Sequence, residues 1–106
     1  MQLVARSSGL VGSVAMPGSK SHTIRAVAIA ALADGRSVIE APLVSADAAA
    51  AVRAYRALGA RIDDAAADRW VVDGVAGRPH AAADAIDVAN SGTSLNVALG
   101  SAALLA

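Results

Sequence analysis

Two short loops carry the residue types that bind anions. The first reads Pro17-Gly18-Ser19-Lys20-Ser21, and a helical pattern begins directly behind it. The leading N–H groups of a helix have no internal partners, and the helix dipole adds positive potential there. Gly18 lets the backbone approach a ligand, Ser19 and Ser21 offer hydroxyls, and Lys20 adds a full charge. Arg25 supplies a second, bidentate cation if the helix turns it inward. The sum is a site for phosphate or carboxylate. The loop is not a Walker A motif, because Ser19 precedes Lys20 where that motif needs Gly. The plainer alternative is a capped helix with an exposed lysine.

The second loop, Asn90-Ser91-Gly92-Thr93-Ser94, also opens a helical pattern. It holds no basic residue, so free N–H groups and hydroxyls would have to do any binding. A capped turn is the competing reading. Two such loops, each between a strand and a helix, point to anion binding more strongly than either alone.

Other polar residues carry less. His22 follows the first loop but reads as a solvent-facing helix residue, and His80, beside Arg78, as a surface residue. Asp34, Asp63, Asp64, Asp68 and Asp73 sit at element ends or turns, where Asp serves as cap and turn former. Asp84 and Asp87 flank a short apolar segment, and no carboxylate pair has metal-site spacing. No metal or cofactor is expected. Trp70 reads as the largest core filler.

These loops need elements to hold them. Alternating segments at 2–5 and 11–16, joined at Ser8-Gly9, predict a strand pair. A helix follows over 21–33, with Ile24, Val27, Ala28, Ala31 and Leu32 on one face and Asp34-Gly35 as its stop. A strand at 37–40 closes at Pro42. A second helix over 48–58 is capped by Ser45 or Asp47, buries Val52, Tyr55 and Leu58, and ends at Gly59. Segments 61–63 and 69–73 form a hairpin, 85–88 another strand, and 94–105 a third helix. The order is β-β-α-β-α-β-β-β-α. Leu95, Leu99 and Leu104 on the uncapped last helix have nothing to bury them, which reads as a truncation.

Composition narrows the function classes. The chain has 106 residues, 56% hydrophobic and 17% charged, so it has too much apolar and too little charged character to be disordered. Twenty-nine residues are alanine and none is phenylalanine, which makes for a thin core. Nine basic and nine acidic residues leave no net field for nucleic acid or an anionic membrane. No cysteine is present, and no segment reads as a secretory signal or a membrane span. A soluble, cytoplasmic chain is expected.

The run Met16-Pro17-Gly18-Ser19-Lys20-Ser21-His22-Thr23-Ile24-Arg25-Ala26, followed by Ala30-Ala31-Leu32-Ala33-Asp34-Gly35, resembles the opening signature of the 5-enolpyruvylshikimate-3-phosphate synthase family. Asn90-Ser91-Gly92-Thr93 resembles the family's second signature, and Leu58-Gly59-Ala60 the helix end between them. The resemblance covers almost the whole chain. It implies an α/β fold of β-α-β-α-β-β units in two lobes, an inside-out α/β barrel of which this chain holds only part. Residues 1–16 would then belong to the other lobe, and 17–106 to the first repeat and the start of the second. The implied activity transfers the enolpyruvyl group of phosphoenolpyruvate to the 5-hydroxyl of shikimate 3-phosphate and releases phosphate. Carried over by position, Lys20, Ser21 and Arg25 would hold shikimate 3-phosphate, while Lys20, Gly92 and Thr93 would meet phosphoenolpyruvate. A monomeric full enzyme without metal or cofactor is implied.

Two positions depart from the family pattern: Asn96 stands where an arginine is usual, and Ala46-Asp47 keeps one residue of an acidic pair. The family's later arginines and its acid/base Asp, Glu and Lys lie beyond these residues. No catalytic residue is therefore expected within the 106, and the chain alone should be inactive. The related UDP-N-acetylglucosamine enolpyruvyl transferases are the nearest rival, and Ser21 and Arg25 argue against them. A non-catalytic anion-binding paralogue is the alternative from another class.

Overall fold

The computed structural model describes residues 1–105. Helix α1 (Lys20–Leu32) leads to strand β1 (Arg36–Glu40) and helix α2 (Ala46–Ala57). Strands β2 (Arg61–Ala66) and β3 (Arg69–Asp73) form a hairpin, and helix α3 (Gly92–Ala102) runs on into a 3₁₀ turn, Ala103–Leu105. The expected domain limit at Ala106 lies outside the described residues.

The three strands form one antiparallel sheet in the order β1-β3-β2. Period-two alternation gives it two chemically different faces. Trp70, Val72 and Ile62 point inward and are buried, with Ile39 packed beside them. The outer face pairs Arg36 with Asp73, Val38 with Val71 and Glu40 with Arg69, so opposite charges lie across the ladder. Arg36 grips Asp73 in a bidentate pair at 2.7 and 3.1 Å. That contact, seconded by Arg61, holds the Asp73 carboxyl below the usual carboxylate range.

The helices cover the inner face. Their contact surfaces are mostly alanine: Ala28, Ala30 and Ala31 of α1, Ala48, Ala50, Ala51 and Ala54 of α2, and Ala98 of α3 are all buried. Ile24, Val27, Val52 and Tyr55 fill the space between them. Side chains this short let the helix axes approach closely.

Each helix starts on a serine N-cap: Ser19 accepts from the His22 N–H, Ser45 from Ala48, and Ser91 from Ser94. The stop of α2 is equally local. Gly59 (φ +107°) donates to the Arg56 carbonyl and Ala60 to that of Tyr55, a Schellman closure. A Cβ on Gly59 would lie 2.3 Å from His80 Cδ2, so the positive φ demands glycine and a larger residue would also displace the exposed His80 ring. His80 is exposed, as expected, yet its backbone N–H donates to the Leu58 carbonyl at 2.8 Å.

Two expected elements are not formed. Residues 1–17 are all exposed and contain no strand, so the alternation at 2–5 and 11–16 finds no ladder partner. A lone two-stranded pair lacks the buried face that would stabilise it. Residues 85–88 are not a strand either. Asp87 accepts from the Ala89 N–H at 2.7 Å, which turns the backbone locally, and half-buried Ile86 and Val88 lie along α3 with Leu95 and Ala98. The observed order is therefore α-β-α-β-β-α. Boundaries elsewhere shift by a few residues; Ser45, rather than Asp47, caps α2, and Leu95, Leu99 and Leu104 are exposed. Among the described residues, no helix is long and apolar enough to cross a membrane.

Two outcomes follow from this architecture. Gly59→Ala should destabilise the chain by about 1–3 kcal/mol through the strained φ and the His80 contact, read as a lowered chemical-denaturation midpoint. A carboxyl with a depressed folded pKa contributes stability above its unfolded value of about 4 and loses it as pH falls. Thermal midpoints of wild type and Asp73→Asn should therefore differ at pH 6, and the difference should shrink as the pH falls through the carboxylate range.

Candidate anion-binding site

The two loops identified in the sequence lie about 70 residues apart and meet in space through Asp47. Lys20 is the first residue of α1, and its Nζ lies 2.7 Å from Asp47 Oδ2. On the other side, Ser94 Oγ donates to the Asp47 backbone carbonyl at 3.1 Å. Ser91 Oγ in turn donates to Ser94 Oγ at 2.7 Å and accepts from the Ser94 N–H at 3.2 Å. A continuous polar path thus runs from the Lys20 ammonium to the cap of α3.

Relative helix orientation follows from contacts at two depths. Asp47 and Ser94 lie in the first turns of α2 and α3, and Tyr55 and Ser101 nine residues into each. The Tyr55 hydroxyl lies 2.6 Å from Ser101 Oγ, and burial of the ring pushes the phenol pKa up. Contacts at matching depths require α2 and α3 to run parallel, with their N-termini at the same end. Lys20 brings the N-terminus of α1 to that end as well. Three sets of free N–H groups and three positive dipole ends therefore converge.

The other predicted residues take separate places. Ser21 is half-buried, and Arg25, one turn further along α1, is exposed and makes no ion pair or hydrogen bond with the described residues. Lys20 and Arg25 lie roughly 140° apart around the helix, so Lys20 turns to α2 while Arg25 is left to solvent or ligand. Gly92 is the exposed first residue of α3 with open space at its Cβ position, and Thr93 is half-buried beside it. Gly18 carries a packing demand besides the expected one. A Cβ there would lie 2.7 Å from the Ala41 carbonyl and 3.0 Å from the Leu43 N–H, so glycine is needed for packing against the chain before α2.

Two residues carry more than the sequence reading assigned them. Thr23, buried in α1, donates to the Ser19 carbonyl at 2.8 Å and accepts from the Leu43 N–H at 2.9 Å, which locks the first loop to the approach of α2. Asp47, read only as a cap candidate and half of an acidic pair, is the junction of both loops. The spacing Ser45-x-Asp47 placed an acid in a first helical turn, but no local pattern says which cation it meets.

Fold and site together define an α/β unit whose three helix N-termini cluster at one end. A family model for EPSP synthase (3-phosphoshikimate 1-carboxyvinyltransferase) matches residues 4–106. The chain belongs to the EPSP synthase family. It is 50% identical over 104 residues to the 3-phosphoshikimate 1-carboxyvinyltransferase of Acetivibrio thermocellus, covering 98% of this chain and 24% of that one. The Ruminiclostridium cellulolyticum enzyme of the same name is 46% identical over 105 residues, covering 99% and 25%. The solved EPSP synthase from Acinetobacter baumannii superposes with a TM-score of 0.78 at 31% identity, over 85% of this chain and 21% of that one. The chain thus carries part of that fold and spans about a quarter of the length of the curated relatives it matches.

The two loop glycines should respond oppositely to the same substitution. Gly18→Ala should cost about 1–3 kcal/mol in denaturant unfolding, because backbone atoms that cannot rotate away must move. Gly92→Ala should stay within about 0.5 kcal/mol of wild type. Equal losses at both would remove the packing explanation for Gly18.

Proposed function

We propose that this chain supplies the shikimate 3-phosphate-binding part, and one wall of the phosphoenolpyruvate site, of an enolpyruvyl transferase of aromatic biosynthesis. The observation that carries the reading is the junction at Asp47, which brings Lys20 and the Ser91–Ser94 turn together across α2. Both substrates are anions, and both loops present helix N-termini. In this assignment Lys20, Ser21 and Arg25 hold shikimate 3-phosphate. Lys20, Gly92 and Thr93 face phosphoenolpyruvate.

The transfer needs a proton delivered to the phosphoenolpyruvate methylene and one removed from the 5-hydroxyl. Lys20 and the helix ends bind and orient charge, and no residue here is assigned the acid/base steps. Residues 1–16, exposed throughout, are assigned to the second lobe of the fold. The preserved Pro17-Gly18-Ser19-Lys20-Ser21 loop and Arg25 favour shikimate 3-phosphate over a UDP-sugar.

Isothermal titration of the chain with shikimate 3-phosphate and, separately, UDP-N-acetylglucosamine separates the two substrate classes. Binding of the first alone is expected. Lys20→Ala should weaken it roughly tenfold to a hundredfold, the loss of a charge-assisted hydrogen bond worth about 1.5–3 kcal/mol. Its fold should persist, since the Lys20–Asp47 pair is half exposed and worth about 0–1 kcal/mol. Preference for the UDP-sugar, or unchanged affinity in Lys20→Ala, would overturn the assignment.

A further inference from the structure

We infer that Asp47 is a positioning residue for Lys20, and that it makes the two anion loops a single unit; this rests on the anion-binding reading above. Its two ends do different work. The carboxylate holds the Lys20 ammonium at 2.7 Å. The backbone carbonyl, two covalent bonds beyond the Cβ, accepts from Ser94 Oγ at 3.1 Å. The carbonyl itself is held in place because Asp47 sits in the first turn of α2, behind the Ser45 cap. Ser94 is 1% exposed and already engaged with Ser91, so its bond to Asp47 is sheltered from water. Displacing Asp47 would therefore disturb both loops.

A carboxylate beside the binding lysine could equally compete with an incoming anion. The free donors of the ammonium favour ordering over competition. A free lysine stem has four rotatable carbons, and ordering it costs an anion site up to roughly thirtyfold in affinity. A nearby carboxylate also repels the anion, by an amount that grows as the local dielectric falls. The ammonium also has three donors, and Asp47 uses one, which leaves two for a phosphate or carboxylate. Arg25, further round α1, has no such internal partner among the described residues, so it can adapt to ligand where Lys20 is fixed. Lys20 is thereby held in place with two donors still open to the anion.

The test is a double-mutant cycle on shikimate 3-phosphate affinity, using Asp47→Ala, Lys20→Ala and the double variant. Amide shifts of the two loops and thermal midpoints are followed in parallel. Asp47→Ala should weaken binding about threefold to tenfold in the Lys20 background and cause no loss, or a modest gain, in Lys20→Ala. It should shift the Lys20 and Ser21 amides in the absence of ligand and leave the Ser91–Ser94 turn in place, because the Asp47 carbonyl remains. A merely structural role would produce the same loss in both backgrounds, and that result overturns the proposal. Stronger binding by Asp47→Ala makes Asp47 a competitor and overturns it too. Absence of binding by the wild type overturns the anion-site reading itself, whereas wild-type binding unchanged by Asp47→Ala overturns only this inference. Asp47→Asn, nearly isosteric, replaces the alanine variant if that one unfolds.

Discussion

Close helix approach is the constraint on which the rest of this structure depends. The buried surfaces of α1 and α2 are largely alanine, and Ala98 continues the pattern on α3. Alanine contributes little burial energy per residue, but it removes the side-chain bulk that would hold the axes apart. At close separations even the short serine hydroxyl can span two helices. The Ser94–Asp47 bond at 3.1 Å and the Tyr55–Ser101 contact at 2.6 Å are both of this kind. The thin core and the short polar bridges are thus two consequences of one composition.

The same constraint concentrates charge. Each helix alone presents a weak positive end, partly satisfied by its own serine cap. Held side by side, the three ends add, and the one lysine among them stands where the potential is already positive. Asp47 offsets part of that charge through its ion pair with Lys20. The outer face of the sheet follows the opposite logic: its Arg36–Asp73 and Glu40–Arg69 pairs neutralise each other and leave no directed field. Charge is spread evenly on the side that meets solvent and gathered on the helix ends.

Local patterns were read correctly wherever their physics is local. The serine caps, the Gly59 closure, the 3.6-residue stripe of α1 and α2 and the β2–β3 hairpin all involve residues within one or two turns of each other. Trp70 and Tyr55, the two large aromatic side chains, are buried for the reason composition demanded. The failures share a different cause. A strand at 2–5, 11–16 or 85–88 needs an edge to pair with, and alternation describes a side chain's preference without supplying that edge. Leu95 and Leu99 are legible as an apolar stripe, but what a stripe packs against is not written in it.

By itself, the sequence determined the chemistry available: two anion-suited loops, a family signature across residues 17–35, and a composition that forces helices together. Tertiary structure decided which groups meet. It made Asp47 the joint between loops separated by about 70 residues, paired Lys20 while leaving Arg25 without an ion pair among the described residues, and added a packing demand at Gly18. The physical reason is range. Capping, turn closure and helical periodicity act between neighbours along the chain, whereas an ion pair or a hydroxyl bridge acts between atoms a few ångströms apart, whose closeness exists only after the helices have packed.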